Sequence, residues 1–147
     1  MTLTADDRLD IAALYARQVW ALDTGDVDGY VETFTEDALL DLAERYAGKS
    51  AIRGFAESFR LHDVGVPGSQ HLVTSMLLDG DGTRCSVRAY VTRTHRLPGR
   101  GRNNCQIIWS GYYADTAVKV GGTWLIQEQR GRAWEGDVVQ PIKHARG

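Results

Sequence analysis

The first apolar residues recur at helical spacing. Ile11, Leu14, Tyr15, Val19 and Leu22 fall on one face, while Arg8, Asp10 and Arg17 fall on the other. A helix is therefore predicted from near Thr4, where Thr-Ala-Asp-Asp offers a cap and first-turn acids, to the break at Gly25. "DVDGYVETF" continues as a short second helix with Val27, Tyr30, Val31 and Phe34 as its stripe. "TEDALLDLA" reads as a short strand. "GKSAIRGFAESFR" reads as a third helix, with Ser50 as a candidate cap and Ile52, Phe55 and Phe59 inward.

Beyond "DVGVPGS" the period changes to two. "QHLVTSMLLD", "TRCSVRAYVTRTHR", "NCQIIWSGYYADTAVKV" and "TWLIQEQRGRAW" are β-branched and aromatic runs separated by "GDG", "LPGRGRN" and "GG". Gly-rich turns between such runs indicate antiparallel hairpins. Three helices followed by a meander of long strands give an α+β domain, its helices on one face of a curved, mostly antiparallel sheet. The 147 residues suit a single domain over 1–147, with a core at about 5–135 and an aperiodic tail from about Asp137, placed on the surface or against another subunit.

Charge narrows the partners. Lys and Arg total 17 against 19 Asp and Glu, a net charge of −2, which argues against nucleic acid or an anionic membrane as partner. The basic cluster from Arg93 to Arg102 fits a solvated hairpin loop. Cys85 and Cys105 lack a CxxC pairing and are expected to be buried free thiols in a reducing cytoplasm. "MTLTADDRLD" does not resemble a leader peptide, and no apolar run approaches the ~20 residues of a membrane span.

This order of elements resembles the NTF2-like cone fold. "IAALYARQVWALDTGDVDGYVETFTEDALL" is similar to the opening of its SnoaL-like branch, and "SGYYADTAVKVGGTWLIQEQR" to that branch's closing hairpin. Asp23 in "ALDTGD" and His71 in "SQHLVTS" are similar in placement to the Asp and His of scytalone dehydratase-like enzymes and of hexachlorocyclohexane dehydrochlorinase. The resemblance implies a dyad. It departs at Leu22, where the dehydratase has Tyr, and at Gln18 and Gln129, where the dehydrochlorinase has Lys and Arg. The dehydratase's second His falls near Arg93, Thr94 or His95, and its pocket Asn near Tyr113. The ketosteroid isomerase pattern fits worse, with its general base on or beside Leu42 and its helix-one oxyanion Tyr near Gln18.

The residues themselves permit a definite chemistry. His71 opens a strand on which 71, 73, 75 and 77 are expected to share one face. In an apolar cone, a carboxylate at Asp23 would fix the imidazole tautomer and leave the other nitrogen to remove a substrate proton, a general-base contribution of about 10²–10⁴-fold. No nucleophile is paired with the dyad, so proton abstraction followed by elimination or bond migration is the natural reaction, with no cofactor required. His62, His95 and His144 show no metal-ligand spacing, and no metal is expected. Trp109 and Tyr113 share a strand parity and are candidate pocket residues, as are Gln18 and Gln129. Arg93 shares the parity of Val87, Ala89 and Val91 and is a candidate for an anionic substrate or oxyanion, although exposure at a hairpin end is the more ordinary reading.

Each residue has a plainer interpretation: Asp23 as a helix-ending acid, His71 as a strand histidine, and the aromatics as core. The leading expectation is a cofactor-independent dehydratase, cyclase or isomerase acting on a small, partly apolar metabolite of polyketide or other secondary metabolism. The alternatives are a non-catalytic binding protein and an assembly subunit resembling the small subunit of ring-hydroxylating dioxygenases. A homo-oligomer is expected in each case, because the strand 104–120 has apolar residues on both parities.

Overall fold

The structure, a computed structural model, describes residues 2–99 and 104–135. The tail from Asp137, with His144, and part of the Arg93–Arg102 cluster lie outside the described residues. Helix α1 spans Ala5–Thr24, α2 Val27–Glu32 and α3 Gly48–His62. The strands are β1 (Phe34–Asp41), β2 (Arg45–Ala47), β3 (Gln70–Gly80), β4 (Arg84–Arg96), β5 (Cys105–Val120) and β6 (Thr123–Ala133). They form one sheet in the order β2-β1-β6-β5-β4-β3, antiparallel throughout except where β1 runs parallel to β6.

Local chemistry explains both ends of α1. Thr4 caps it through a reciprocal box, its hydroxyl accepting from the Asp7 N–H while the Asp7 carboxylate accepts from the Thr4 N–H. The same carboxylate accepts from Lys119 Nζ at 2.9 Å and Trp124 Nε1 at 3.0 Å, tying the helix start to the β5–β6 hairpin. These bonds, Lys119 foremost, hold Asp7 well below the usual carboxylate range. At the other end Gly25 adopts φ 77°, and its N–H reaches the carbonyls of Ala21 and Leu22. The chain thus turns immediately after Asp23.

Between helices and sheet lies the core of Ile11, Leu14, Tyr15, Phe34, Leu40, Ile52, Val87, Trp124 and Ile126, all at most 2% exposed. Val19 and Phe55, expected inside, are half-buried. Ser50 does not cap α3: the helix begins two residues earlier, and its N-cap, Ala47, makes no side-chain capping bond. Cys105 is exposed at the start of β5, so only Cys85 is the expected buried thiol. Strand β2 has no strong sequence signal; its three residues form by pairing with β1.

Two bulges decide which residues face the helices. On β3 the register shifts between Thr74 and Leu77, with Ser75 at φ 53°. Val73 and then Met76 and Leu78 are therefore sheltered, while Ser75 and Leu77 turn outward, against the expected shared face of 71, 73, 75 and 77. On β6 the pairing passes from Ile126↔Ala117 to Glu128↔Thr116, so the inward set changes from Trp124 and Ile126 to Gln129 and Gly131.

Phe34, fully buried and edge-on to Tyr30 at 5.3 Å, joins β1 to α2. Phe34→Ala is expected to lower unfolding free energy by about 3–5 kcal/mol, measured by chemical denaturation.

Candidate active site

Asp23 occupies the last turn of α1, and its carboxylate faces the first residues of β3. Oδ2 accepts the backbone N–H of His71 at 2.7 Å, and Oδ1 lies 2.6 Å from His71 Nδ1. Both side chains are largely shielded, with 14% and 12% of their surface exposed. A carboxylate only accepts, so this contact places a proton on Nδ1. In the neutral imidazole Nε2 is then the lone-pair nitrogen. Phe59 of α3 packs on the ring with centroids 5.6 Å apart.

His71 borders a cavity of about 610 Å³ between α2, α3 and the inward face of the sheet. Tyr30, Phe55 and Phe59 contribute its helical wall, and Leu40 and Leu42 its β1 side. Arg93, Trp109, Tyr113 and Gln129 line the sheet side. Two inward positions beside the hollow are glycines because neighbouring atoms already fill the place of a Cβ. A Cβ at Gly111 would come within 2.4 Å of the Trp109 indole, and one at Gly131 within 2.8 Å of Leu42. Gly111 thus lets the Trp109 ring lie along the strand.

Arg93 is not the water-exposed hairpin arginine of the ordinary reading. It sits well before the loop, on the inward parity, with 18% of its side chain exposed. Nη2 donates to Asp63 at 2.7 Å and to Ser69 Oγ at 3.3 Å, and the guanidinium lies 4.9 Å from the Phe59 ring centroid. Arg132 also borders the cavity. Its Nη1 donates to the carbonyls of Asp41 and Gly131, and its Nη2 to the buried Asp41 carboxylate at 3.1 Å. Burial pushes the Asp41 carboxyl up, but hydrogen bonds from Arg132 and Arg45 outweigh it and hold it below its usual value.

Gln18 and Gln129 meet each other. Each amide Nε2 donates to the other's Oε1 at 3.0 Å, and both side chains are essentially buried. Gln129 borders the cavity, whereas Gln18 stands behind it. Gln129 Nε2 also donates to Asp115 at 3.1 Å; Asp115 further accepts from Tyr15 Oη at 2.6 Å and the Arg130 N–H at 2.9 Å. Sequence reasoning missed Asp115. The available signal was its parity with Trp109 and Tyr113 on the same strand. Burial drives its pKa up to about 7 despite the three donors. Desolvation first, and then the nearby Asp115 and Asp23 charges, raise the Tyr113 phenol above its ordinary value, so it stays protonated at neutral pH. His62 is exposed, and the described residues contain no cluster of three metal-ligating side chains.

Asp115 carries a pH signature. Its folded pKa exceeds the unfolded value of about 3.9, so the unfolded chain releases the proton first. Stability should fall as pH rises from about 4 to about 7 and then level off. Denaturation across that range should show this component in the wild type and not in Asp115→Asn. At pH 8 that variant should also be less stable by about 1–3 kcal/mol, because an amide N–H would face a donor.

Comparison with known proteins places the fold. A protein of unknown function from Mycobacterium tuberculosis is 28% identical, with a TM-score of 0.77 over 88% of this chain and 72% of that one. A protein of unknown function with a cystatin-like fold from Nostoc punctiforme is 24% identical, with a TM-score of 0.80 over 92% and 97%. A proposed scytalone dehydratase from Novosphingobium aromaticivorans is 22% identical, with a TM-score of 0.74 over 88% and 85%. No curated protein matches the chain in sequence. No helix among the described residues is long and apolar enough to cross a membrane. The SnoaL-like domain model matches residues 3–130, and the chain belongs to the SnoaL-like family.

Proposed function

We propose that the protein is a cofactor-independent lyase or isomerase, of dehydratase or cyclase type, in which His71 is the general base and Asp23 orients it. The observation that carries this reading is the two-point hold on His71. Asp23 takes both the backbone N–H and the ring Nδ1, and the imidazole borders a half-open, mainly apolar cavity. A helix-ending acid needs neither contact. Holding the ring in one tautomer means that no reorientation precedes proton transfer, and the apolar walls strengthen the interaction of the base with a developing charge.

The cavity suits a small, partly apolar metabolite. Tyr30, Phe55, Phe59 and Trp109 offer flat apolar surfaces, and Tyr113 offers a protonated phenol. Gln129 is positioned to meet a substrate polar group. Gln18 acts through Gln129 as a positioning residue. His71 removes a proton from carbon; the electron pair then expels a leaving group or forms a new bond. Polyketide or other secondary metabolism in the cytoplasm supplies compounds of this kind. The outer face of the sheet exposes Leu72, Leu77, Tyr90 and Trp134, which supports a homo-oligomer.

The test incubates wild type, His71→Ala and Asp23→Asn with a panel of cyclic hydroxy ketones and hydroxylated aromatics, following products by mass spectrometry. Wild type should form a dehydrated or isomerised product. Each variant, with a wild-type circular dichroism spectrum, should be slower by about 10²–10⁴-fold. Near-wild-type rates in either folded variant would overturn the assignment.

A further inference from the structure

His71 and Arg93 are direct cross-strand partners on β3 and β4, and Arg93 is in turn the partner of Trp109 on β5. All three border the cavity. Directly opposed strand residues carry Cβ atoms about 4.5–5.5 Å apart. The sheet therefore sets a base, a cation and an aromatic surface in one row.

Two guanidinium groups reach this cavity, and they differ in what they have left to give. Both terminal nitrogens of Arg132 are engaged by Asp41 and backbone carbonyls. Arg93 is anchored through Nη2 alone; its buried Nε has no hydrogen-bond partner among the described residues, and its Nη1 makes no hydrogen bond to them. Asp63 and the face of Phe59 fix the plane of the group. Asp63, with a third of its side chain exposed at the end of α3, balances the charge without occupying the remaining donors on Nε and Nη1.

We infer that Arg93 binds the oxygen of a carbonyl group whose α-carbon delivers its proton to His71. This rests on the assignment of His71 as base and names the substrate class: an enolisable ketone or ester with a hydroxyl on the β-carbon, conjugated or cyclic enough to lie against Trp109. The step balances. The C–H bond breaks as Nε2 of His71 takes the proton, and the electron pair forms a carbon–carbon double bond, leaving an enolate oxygen on Arg93. Return of that charge re-forms the carbonyl and breaks the β-carbon–oxygen bond. The proton on His71 leaves with the hydroxyl as water, and an enone remains. A guanidinium beside the oxygen is worth most at the enolate, where the charge is greatest.

The test uses 4-nitrophenol, whose phenolate carries a conjugated oxyanion like an enolate, and 4-nitroanisole, which cannot ionise. At pH 8 the wild type should bind 4-nitrophenol at least about tenfold tighter than 4-nitroanisole, with the absorbance of the phenolate. Arg93→Gln should lose that preference, and Arg93→Lys should recover part of it. His71→Ala should retain the preference while losing turnover, which separates this inference from the role of the base. Equal binding of the two probes by the wild type, or an undiminished preference in folded Arg93→Gln, would overturn it. If Arg93→Gln does not fold, the wild-type comparison and Arg93→Lys decide the matter: failure of the wild type to prefer the phenolate overturns the inference.

Discussion

One carboxylate joins the two halves of this fold. Asp23 ends the first helix, His71 begins the sheet's third strand, and the bond between them crosses 48 residues of sequence. Because Asp23 holds the backbone N–H as well as the ring, it fixes the strand's entry and the imidazole's rotation together. Gly25 makes this possible by turning the chain directly after the acid. Without that left-handed turn, α1 would continue past the point where its end meets β3.

The walls of the cavity then depend on close approaches within the sheet. Two inward positions are glycines, and their neighbours, the Arg132 carbonyl and Trp109 ring at Gly111 and Leu42 at Gly131, occupy the place a side chain would take. Below this hollow, Tyr15, Asp115, Gln129 and Gln18 form a buried polar layer in which each member restrains the next. Such a layer is costly unless its groups are paired, and here the pairing also fixes the amide that reaches the cavity. The polar rim at Asp41 and Arg132 has a different role, fastening β1 to the end of β6.

Most of the secondary structure was legible in the chain because its periods are clear and its turns are glycine-rich. The Asp23–His71 contact was legible only through resemblance to a family, since two residues so far apart have no local signature. Three features escaped for physical reasons. Alternation assumes an unbroken pleat, so the bulge at Ser75 reversed the faces expected of 75 and 77. Gln129 was already a pocket candidate, and the β6 bulge is what turns it inward where strict alternation from Trp124 would not. Arg93 was expected in water because charged residues near hairpins usually are; its shelter comes from Asp63 and Phe59, on a helix far away in sequence. Asp115 was hidden because its parity with Trp109 and Tyr113 marks the face of the strand but does not by itself distinguish a buried acid from an exposed one.

The account depends most on the imidazole being held with its proton on the nitrogen facing Asp23. Nitrogen-15 NMR of the neutral His71 ring reads this directly. The account predicts a protonated Nδ1 with a strongly downfield proton, an unprotonated Nε2, and loss of that single tautomer in Asp23→Asn. A ring protonated on Nε2, or one averaging between tautomers in the wild type, would contradict it.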